Sequence, residues 1–302
     1  MLLFIQSKIE EGVREYMKNR EVIEKILHYH PAFPDNYAGC DNYKCGNPED
    51  ECTGVVTALV PTVEVIRKTA EQKSNLLIIH KPTFYSTLDY PSWNSDFPNR
   101  VYQEKRELLE KYRITIWRDH DHMHEHQPDL IFAGVIKYLE WECYVQPGSP
   151  AVYGIYRFLL PECTIAHLRD FLIERLHLNG MRYLGNPDAK ISRVSIVGHL
   201  TPGLMVFDNK EINGERVEYG TLIIRELEEY ADVIIPGEIV EWTVLSYVRD
   251  AIQLGKAKAV FNVGHFSLEE LGMKYARDWI SELVQNEIPV AYVPSGDMYS
   301  YK

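Results

Sequence analysis

Fully apolar runs of strand length alternate along this chain with stretches of helical spacing, and several of those runs end on histidine or carboxylate. Leu76-Leu-Ile-Ile79 closes on His80-Lys81-Pro82, and Ile114-Thr-Ile-Trp117 runs into Asp119-His-Asp-His-Met-His-Glu-His126. Asp232-Val-Ile-Ile235 closes on Pro236-Gly237-Glu238, and Ala257-Lys-Ala-Val-Phe-Asn-Val263 closes on Gly264-His265. Short uninterrupted apolar runs are strands buried on both faces, which parallel sheets covered by helices require. The spacing predicts an α/β protein. Its polar turns then gather at the carboxyl ends of strands, where such sheets bind ligands.

The intervening stretches predict helices over 7–27, 62–72, 100–112, 164–177, 220–230 and 239–254. Pro128 suits the first turn of a further helix running to about 140. Residues 28–53 lose periodicity and collect Pro, Gly, Asn, Asp and three cysteines, which predicts an irregular loop. Val-Gln-Pro-Gly-Ser-Pro-Ala-Val near 145–152 reads as a hinge, dividing the chain into 1–147 and 148–302. A strand around 153–159 opens the second half, and a strand–helix–strand series begins at Val194–Val197. The halves repeat a pattern, with little residue identity.

At 302 residues, 45% hydrophobic and 25% charged, the chain has the balance of an ordinary two-lobed globular protein. Its net charge of −12 argues against broad binding of nucleic acid. The apolar run at residues 1–5 is too short for a signal peptide, and no stretch reaches membrane-span length. Five cysteines are an odd set for a disulfide framework, so a reducing, cytoplasmic setting is expected.

Four of the eleven histidines fall at 120, 122, 124 and 126. A solvated polar turn is the competing reading. Yet His120 and His124 have the spacing that lets one helical turn present two imidazoles to an ion. His265 with Glu269 forms a second grouping just past a strand, with Ser267 as a helix cap; Glu269 placed to favour the helix dipole is its bland alternative. His80 at a strand end is the third. Taken together, these groupings point to a divalent metal. Mixed histidine and carboxylate ligands suit zinc or iron foremost, with manganese, cobalt or nickel also fitting. Cys40, Cys45 and Cys52, with Asp41, Asp50 and nearby His28 and His30, offer a structural zinc site, but the cysteines lack the close pairing of common zinc modules, and an ordinary reduced loop is the preferred reading. His199 could reach the cleft or simply cap a turn. No Ser-His-Asp order, Walker loop or Rossmann fingerprint is present.

The ordered set Leu-Leu-Ile-Ile-His80-Lys-Pro, Ile-Trp117-Arg-Asp-His120-x-x-x-His124, Ile-Ile-Pro-Gly237-Glu238 and Gly264-His265-x-x-x-Glu269 resembles the Nif-three-like family (NGG-one-interacting factor three). Some members of that family are labelled GTP cyclohydrolase I type 2. The similarity runs from about residue 35 to the carboxyl end. It implies two intertwined, structurally duplicated three-layer α/β halves with mostly parallel sheets and a metal site in the cleft between them. It also implies ring-shaped homo-oligomers, such as hexamers. His80, His265 and Glu269 match the pattern, and His120 matches as an accessory position. Lys81 stands where the family has a second histidine, His124 where it has aspartate, and Leu59-Val60 where it has Leu-Asp.

A protonated Lys81 cannot ligate metal, so it is expected to replace a second cation, leaving one tightly held ion where the family has two. The expected metal set is His80, His120, His124, His265 and Glu269. Glu269, Glu238 and Lys81 are the expected catalytic groups of a metal-dependent hydrolase acting on a small nucleotide or phosphoester. A non-enzymatic metal-handling scaffold working through protein partners is the alternative.

Overall fold

In the computed structural model, residues 16–87, 89, 97–151, 154–197, 210–212, 215–217 and 219–302 are described. The first half comprises α1 (Asn19–Tyr29), β1 (Tyr43–Cys45), β2 (Val55–Ala58), α2 (Val63–Glu71), β3 (Leu76–Ile79), α3 (Arg100–Tyr112), β4 (Thr115–Arg118), α4 (Asp121–Glu125) and α5 (Leu130–Leu139). Then come β5 (Tyr156–Thr164), α6 (Ile165–Arg175), β6 (Arg182–Leu184) and β7 (Lys190–Val197). A hairpin of β8 (Lys210–Ile212) and β9 (Glu215–Val217) leads to α7 (Tyr219–Glu229), β10 (Val233–Pro236), α8 (Val244–Gln253), β11 (Ala259–Asn262), α9 (His265–Leu283) and β12 (Val290–Tyr292).

Two five-stranded mixed sheets result, ordered β1-β4-β3-β2-β12 and β5-β7-β10-β11-β6. In the first, β12, β2, β3 and β4 run parallel and β1 lies antiparallel on the edge. In the second, β7, β10 and β11 run parallel between antiparallel β5 and β6. β2, β3, β4 and β10 are buried at every residue, which is why β3 and β10 read as unbroken apolar runs, while Thr57, Thr115 and Arg118 are buried polar members of β2 and β4.

Alternate residues of β3 serve two layers. Leu77 and Ile79 pack with Val65 and Ile66 of α2 and Leu109 of α3. Leu76 and Ile78 face the opposite way, towards Ile131 of α5 and Met273, Ala276 and Ile280 of α9. The second sheet is layered likewise, with Ile234 and Val260 against α7 and α8, and Val233 and Ile235 turned inward. Helices α5 and α9 are shared between the sheets. Leu130 and Ile131 of α5 join the first sheet's cluster while Val135 and Leu139 join the second's. α9 divides in the same way, with Leu268 in the second cluster and Met273 in the first. A helix enclosed on both sides must be apolar all round, as Leu-Ile-Phe-Ala-Gly-Val-Ile is.

These two helices cross closely because each carries a glycine at the contact. A Cβ on Gly134 would stand 2.6 Å from the Leu271 carbonyl oxygen, and one on Gly272 would stand 2.6 Å from Ile131 Cα. Thr57 Oγ1 donates to the Met273 carbonyl at 2.9 Å and fixes α9 on the first sheet. The amino ends of both helices thereby border the carboxyl ends of the parallel strands.

Several boundaries differ from the sequence expectation. The helix expected over 7–27 starts at Asn19, because the Glu21 carboxylate accepts from the Lys18 backbone N–H at 2.8 Å and closes the amino end; residues 7–15 lie outside the described ones. The expected loop over 28–53 contains β1, paired with β4. Pro128 precedes α5 and takes no part in its first turn, since Asp129 is the cap and accepts from Ile131 N and Phe132 N. β5 runs on to Thr164 and β7 begins at Lys190, the two pairing as an antiparallel edge. The helix expected over 239–254 begins only at Val244, because Thr243 has φ +56°, outside helical space. No helix among the described residues is long and apolar enough to cross a membrane.

Candidate metal centre

His80 is the first residue past β3 and is fully buried. Its Nδ1 donates to the Asp119 carbonyl oxygen at 3.1 Å, so the neutral ring carries its proton there and keeps its lone pair on Nε2. His120 follows β4, paired in parallel register with β3 from Leu76↔Thr115 to Ile79↔Arg118. Helix α4 then returns His124 over His120, with the His124 N–H donating to the His120 carbonyl at 3.2 Å. This short helix lacks a cap of its own. Asp41, from the loop before β1, accepts from His120 N at 2.8 Å and His122 N at 2.9 Å instead.

Ring nitrogens of His80, His120 and His124 lie within 4.8 Å of one another. The ring centroids are 4.4 Å apart for His80–His120, and 4.9 Å for both His80–His124 and His120–His124. A carboxylate orients each of the two part-exposed rings. His120 Nδ1 meets Asp121 Oδ1 at 2.7 Å, and His124 Nδ1 meets Asp129 Oδ2 at 2.8 Å. Both contacts leave Nε2 as the lone-pair atom, the arrangement that ligating histidines adopt.

The second half supplies the other wall. His265 opens α9 after Gly264, whose φ of +86° is left-handed and favours glycine. The helix therefore starts at His265 itself, and Ser267 lies within the first turn instead of capping it. His265 and Glu269 share a face one turn apart, with Nε2 2.8 Å from Glu269 Oε2. His265 Nδ1 meets Glu238 Oε1 at 3.2 Å, which ties the turn after β10 to α9. Lys81 Nζ stands 2.7 Å from Glu269 Oε2, and His80 Nε2 stands 3.6 Å from the same oxygen. The structure thus makes two adjoining triads, His80/His120/His124 and Lys81/His265/Glu269, joined through His80 and Glu269.

The electrostatics suit a cation. Burial, helped by Lys81 and His120, holds the His80 pKa well below the usual imidazole range, so the ring is neutral at pH 7. Burial likewise lowers His120. Burial opposes the charge on His124 and His265, but Asp129 in one case and Glu238 with Glu269 in the other raise both. Burial works against ionising Glu269, yet Lys81 and His265 hold its carboxyl well below the usual range. His80 Nε2, fully buried, makes no hydrogen bond. An orphaned lone pair ringed by imidazoles and an ionised carboxylate is a fit for a divalent ion.

Other candidates fall elsewhere. Cys45 Sγ faces the Ile114 carbonyl and Cys52 Sγ the Gly54 carbonyl, while Cys40 lies against Asp121. No metal-fitting group among the described residues unites the three cysteines. His199 lies outside the described residues. A cavity of about 710 Å³ opens beside β1, lined by Lys44, Arg106 and Tyr102 and by none of the site histidines. Asp129 and Asp121 were not singled out from the sequence. Asp129 carried a signal, since an aspartate just before an apolar helical run is a capping position.

The fold and this centre define a class, α/β proteins with two mixed sheets and a histidine-rich cluster able to take a divalent metal. Residues 17–199 match the family Duf34/NIF3 (NGG1p interacting factor 3), and the chain belongs to it. No curated protein sequence matches. Among solved structures, Staphylococcus aureus hypothetical protein SA1388 is similar at 18% identity and TM-score 0.66, over 95% of this chain and 100% of that one. A Bacillus cereus protein related to NIF3 is similar at 14% identity and TM-score 0.64, over 95% and 99%. Reduced HcgD from Methanocaldococcus jannaschii is similar at 18% identity and TM-score 0.60, over 91% and 97%. At these identities the likeness shows the fold.

Proposed function

We propose that this centre binds one divalent metal ion, zinc or iron foremost, through His80, His120, His124, His265 and Glu269, and that the protein acts as a metal-dependent hydrolase on a small nucleotide or phosphoester. The observation that carries the metal reading is the orphaned, buried Nε2 of His80 inside the histidine and carboxylate cluster. When bound, a divalent ion there supplies Lewis acidity toward water and a phosphoryl or carbonyl group.

The chain's own groups divide the remaining work. His80 and Glu269 form the buried floor, while His120 and His124 are part-exposed and face the approach from solvent. Glu238, with its side chain 55% exposed and held to His265, stands where a carboxylate can exchange protons between site and solvent. Lys81 keeps Glu269 ionised and offers an ammonium to an anionic substrate. The test is elemental analysis of wild type beside His265→Ala, followed by hydrolysis assays on phosphoesters and nucleotides. One more metal ion per chain in wild type than in His265→Ala supports the site, and equal metal in the two after reloading removes it.

One observation favours the second reading, a metal-binding scaffold acting through partners. Lys81 places an ammonium on Glu269, where a second cation would need that carboxylate. A single ion with no substrate turnover in the same assays selects this reading. A ring-shaped homo-oligomer belongs to the proposal through family resemblance, and sedimentation tests it. A reducing cytoplasmic setting is supported by five free cysteines.

A further inference from the structure

Behind the histidine cluster lies a second group of buried polar side chains that the proposed reaction does not use. His30 closes α1, Asp41 comes from the loop before β1, Asp119 follows β4, and His122 sits in α4. Their residue exposures are 6%, 6%, 0% and 7%. One ligand atom each of Asp41, Asp119 and His122 lies within 4.8 Å of the others. His30 Nε2 stands 3.1 Å from Asp119 Oδ2, and His122 Nδ1 stands 2.7 Å from Asp41 Oδ2. We propose that His30, Asp41, Asp119 and His122 form a second divalent-metal site, a closed structural one of the zinc type, distinct from the His80 centre.

Three observations carry it. Asp119 Oδ1 is buried without any hydrogen-bond partner, and so is His30 Nδ1. Buried carboxylates are ordinarily paired or bound to metal, and an orphaned oxygen of this kind calls for an ion. Second, two carboxylates balance a divalent cation with both imidazoles neutral. Third, the spacing fits. Two imidazoles on one tetrahedral ion at about 2.0–2.1 Å place their centroids roughly 5 Å apart; His30 and His122 stand at 5.7 Å, so His30 closes in slightly to complete the group of Asp41, Asp119 and His122. Four protein ligands and no exposed face leave no position for substrate, which makes the site structural. Such an ion would pin α1 to the turn that carries His120 and His124.

The test uses the full chain with the outer centre disabled by His124→Ala, His265→Ala and Glu269→Gln, stripped by chelation, reloaded with zinc and desalted. The expected result is one retained zinc per chain, lost when His30→Asn is added. Zinc-free outer-site variant protein overturns the proposal, as does zinc that His30→Asn leaves in place. Should the added substitution unfold the chain by circular dichroism, cobalt loading of the outer-site variant decides. A tetrahedral visible spectrum without a thiolate band supports the site. No visible band, or a thiolate band placing the ion on Cys40, overturns it. Wild type that holds one ion, lost on disabling the outer centre, removes this inner site and leaves the His80 centre standing.

Discussion

Lys81 Nζ lies 2.7 Å from Glu269 Oε2, an ion pair between the turn after β3 and the first turns of α9. It joins residues from the two halves of the chain at the one buried carboxylate of the outer centre. An ammonium there supplies positive charge, has no lone pair to donate, and repels a neighbouring cation. The outer centre of wild type is therefore expected to bind one divalent ion. Lys81→His, which restores a ligand and frees Glu269, is expected to raise the occupancy of that centre to two. Metal titration read by elemental analysis in a His30→Asn background, which removes the inner site, checks both numbers, and two tight ions there with Lys81 in place would contradict the account.

Asp129 does two jobs with two oxygens. Oδ2 orients His124 at 2.8 Å, while Oδ1 caps α5 by accepting from Ile131 N at 2.9 Å and Phe132 N at 3.1 Å. Asp129→Ala removes both and is expected to cost about 1 kcal/mol of stability for the cap and about 10–100-fold in metal affinity for the lost orientation. Asp129→Ser keeps a capping oxygen but is too short to hold His124. Its chemical denaturation midpoint should stay near wild type while metal affinity still falls. Equal losses in both properties for both variants would mean the two roles are not separable.

The legible part of this protein was local. β3, α3 and the strand-end turns bearing His80, His120 and His265 follow from runs of a few residues, and the helical spacing of His120 and His124 is met by α4. The edges were hidden. β1 and β6 are three-residue antiparallel strands only partly buried, so they carry neither an apolar run nor a clear alternation. β12 is as short, and it joins the first sheet beside β2 from the far end of the chain, a pairing that no local pattern encodes. The long-range contacts that orient His80 and His265 were hidden for the same reason. Asp119 meets His80 across 39 positions and Glu238 meets His265 across 27, through contacts that only the folded chain creates.

Gly134 offers a test of how the centre depends on the helix crossing. A Cβ there would stand 2.6 Å from the Leu271 carbonyl and 2.7 Å from Gly272 Cα, and backbone cannot yield as a flexible side chain would. Gly134→Ala is expected to destabilise the fold by about 1–3 kcal/mol through overpacking, despite the better helix propensity of alanine. Because α5 carries Asp129 and α9 carries His265 and Glu269, metal affinity should fall with it. Urea unfolding checks the first effect and metal titration the second. Unchanged stability would show that the crossing has slack.

Lys105 gives the pH dependence. Its side chain is nearly buried, Nζ donates to the Thr83 carbonyl at 2.6 Å, and burial, opposed by Asp89, lowers its pKa to about 8. The unfolded chain holds that proton to an ordinary value of 10.5. Between these values the unfolded state binds more protons than the folded state, so this residue's contribution to stability increases as pH rises. Below about 8 both states are protonated and the burial penalty is felt in full. Lys105→Met removes the titration. The unfolding free energy of wild type minus that of the variant is expected to climb by up to about 3 kcal/mol between pH 7 and pH 10.5. Taking the difference cancels the titration of every other group that the substitution leaves undisturbed. A flat difference across that range would show that Lys105 keeps its proton in the folded state, held by Asp89 and the Thr83 carbonyl against the cost of burial.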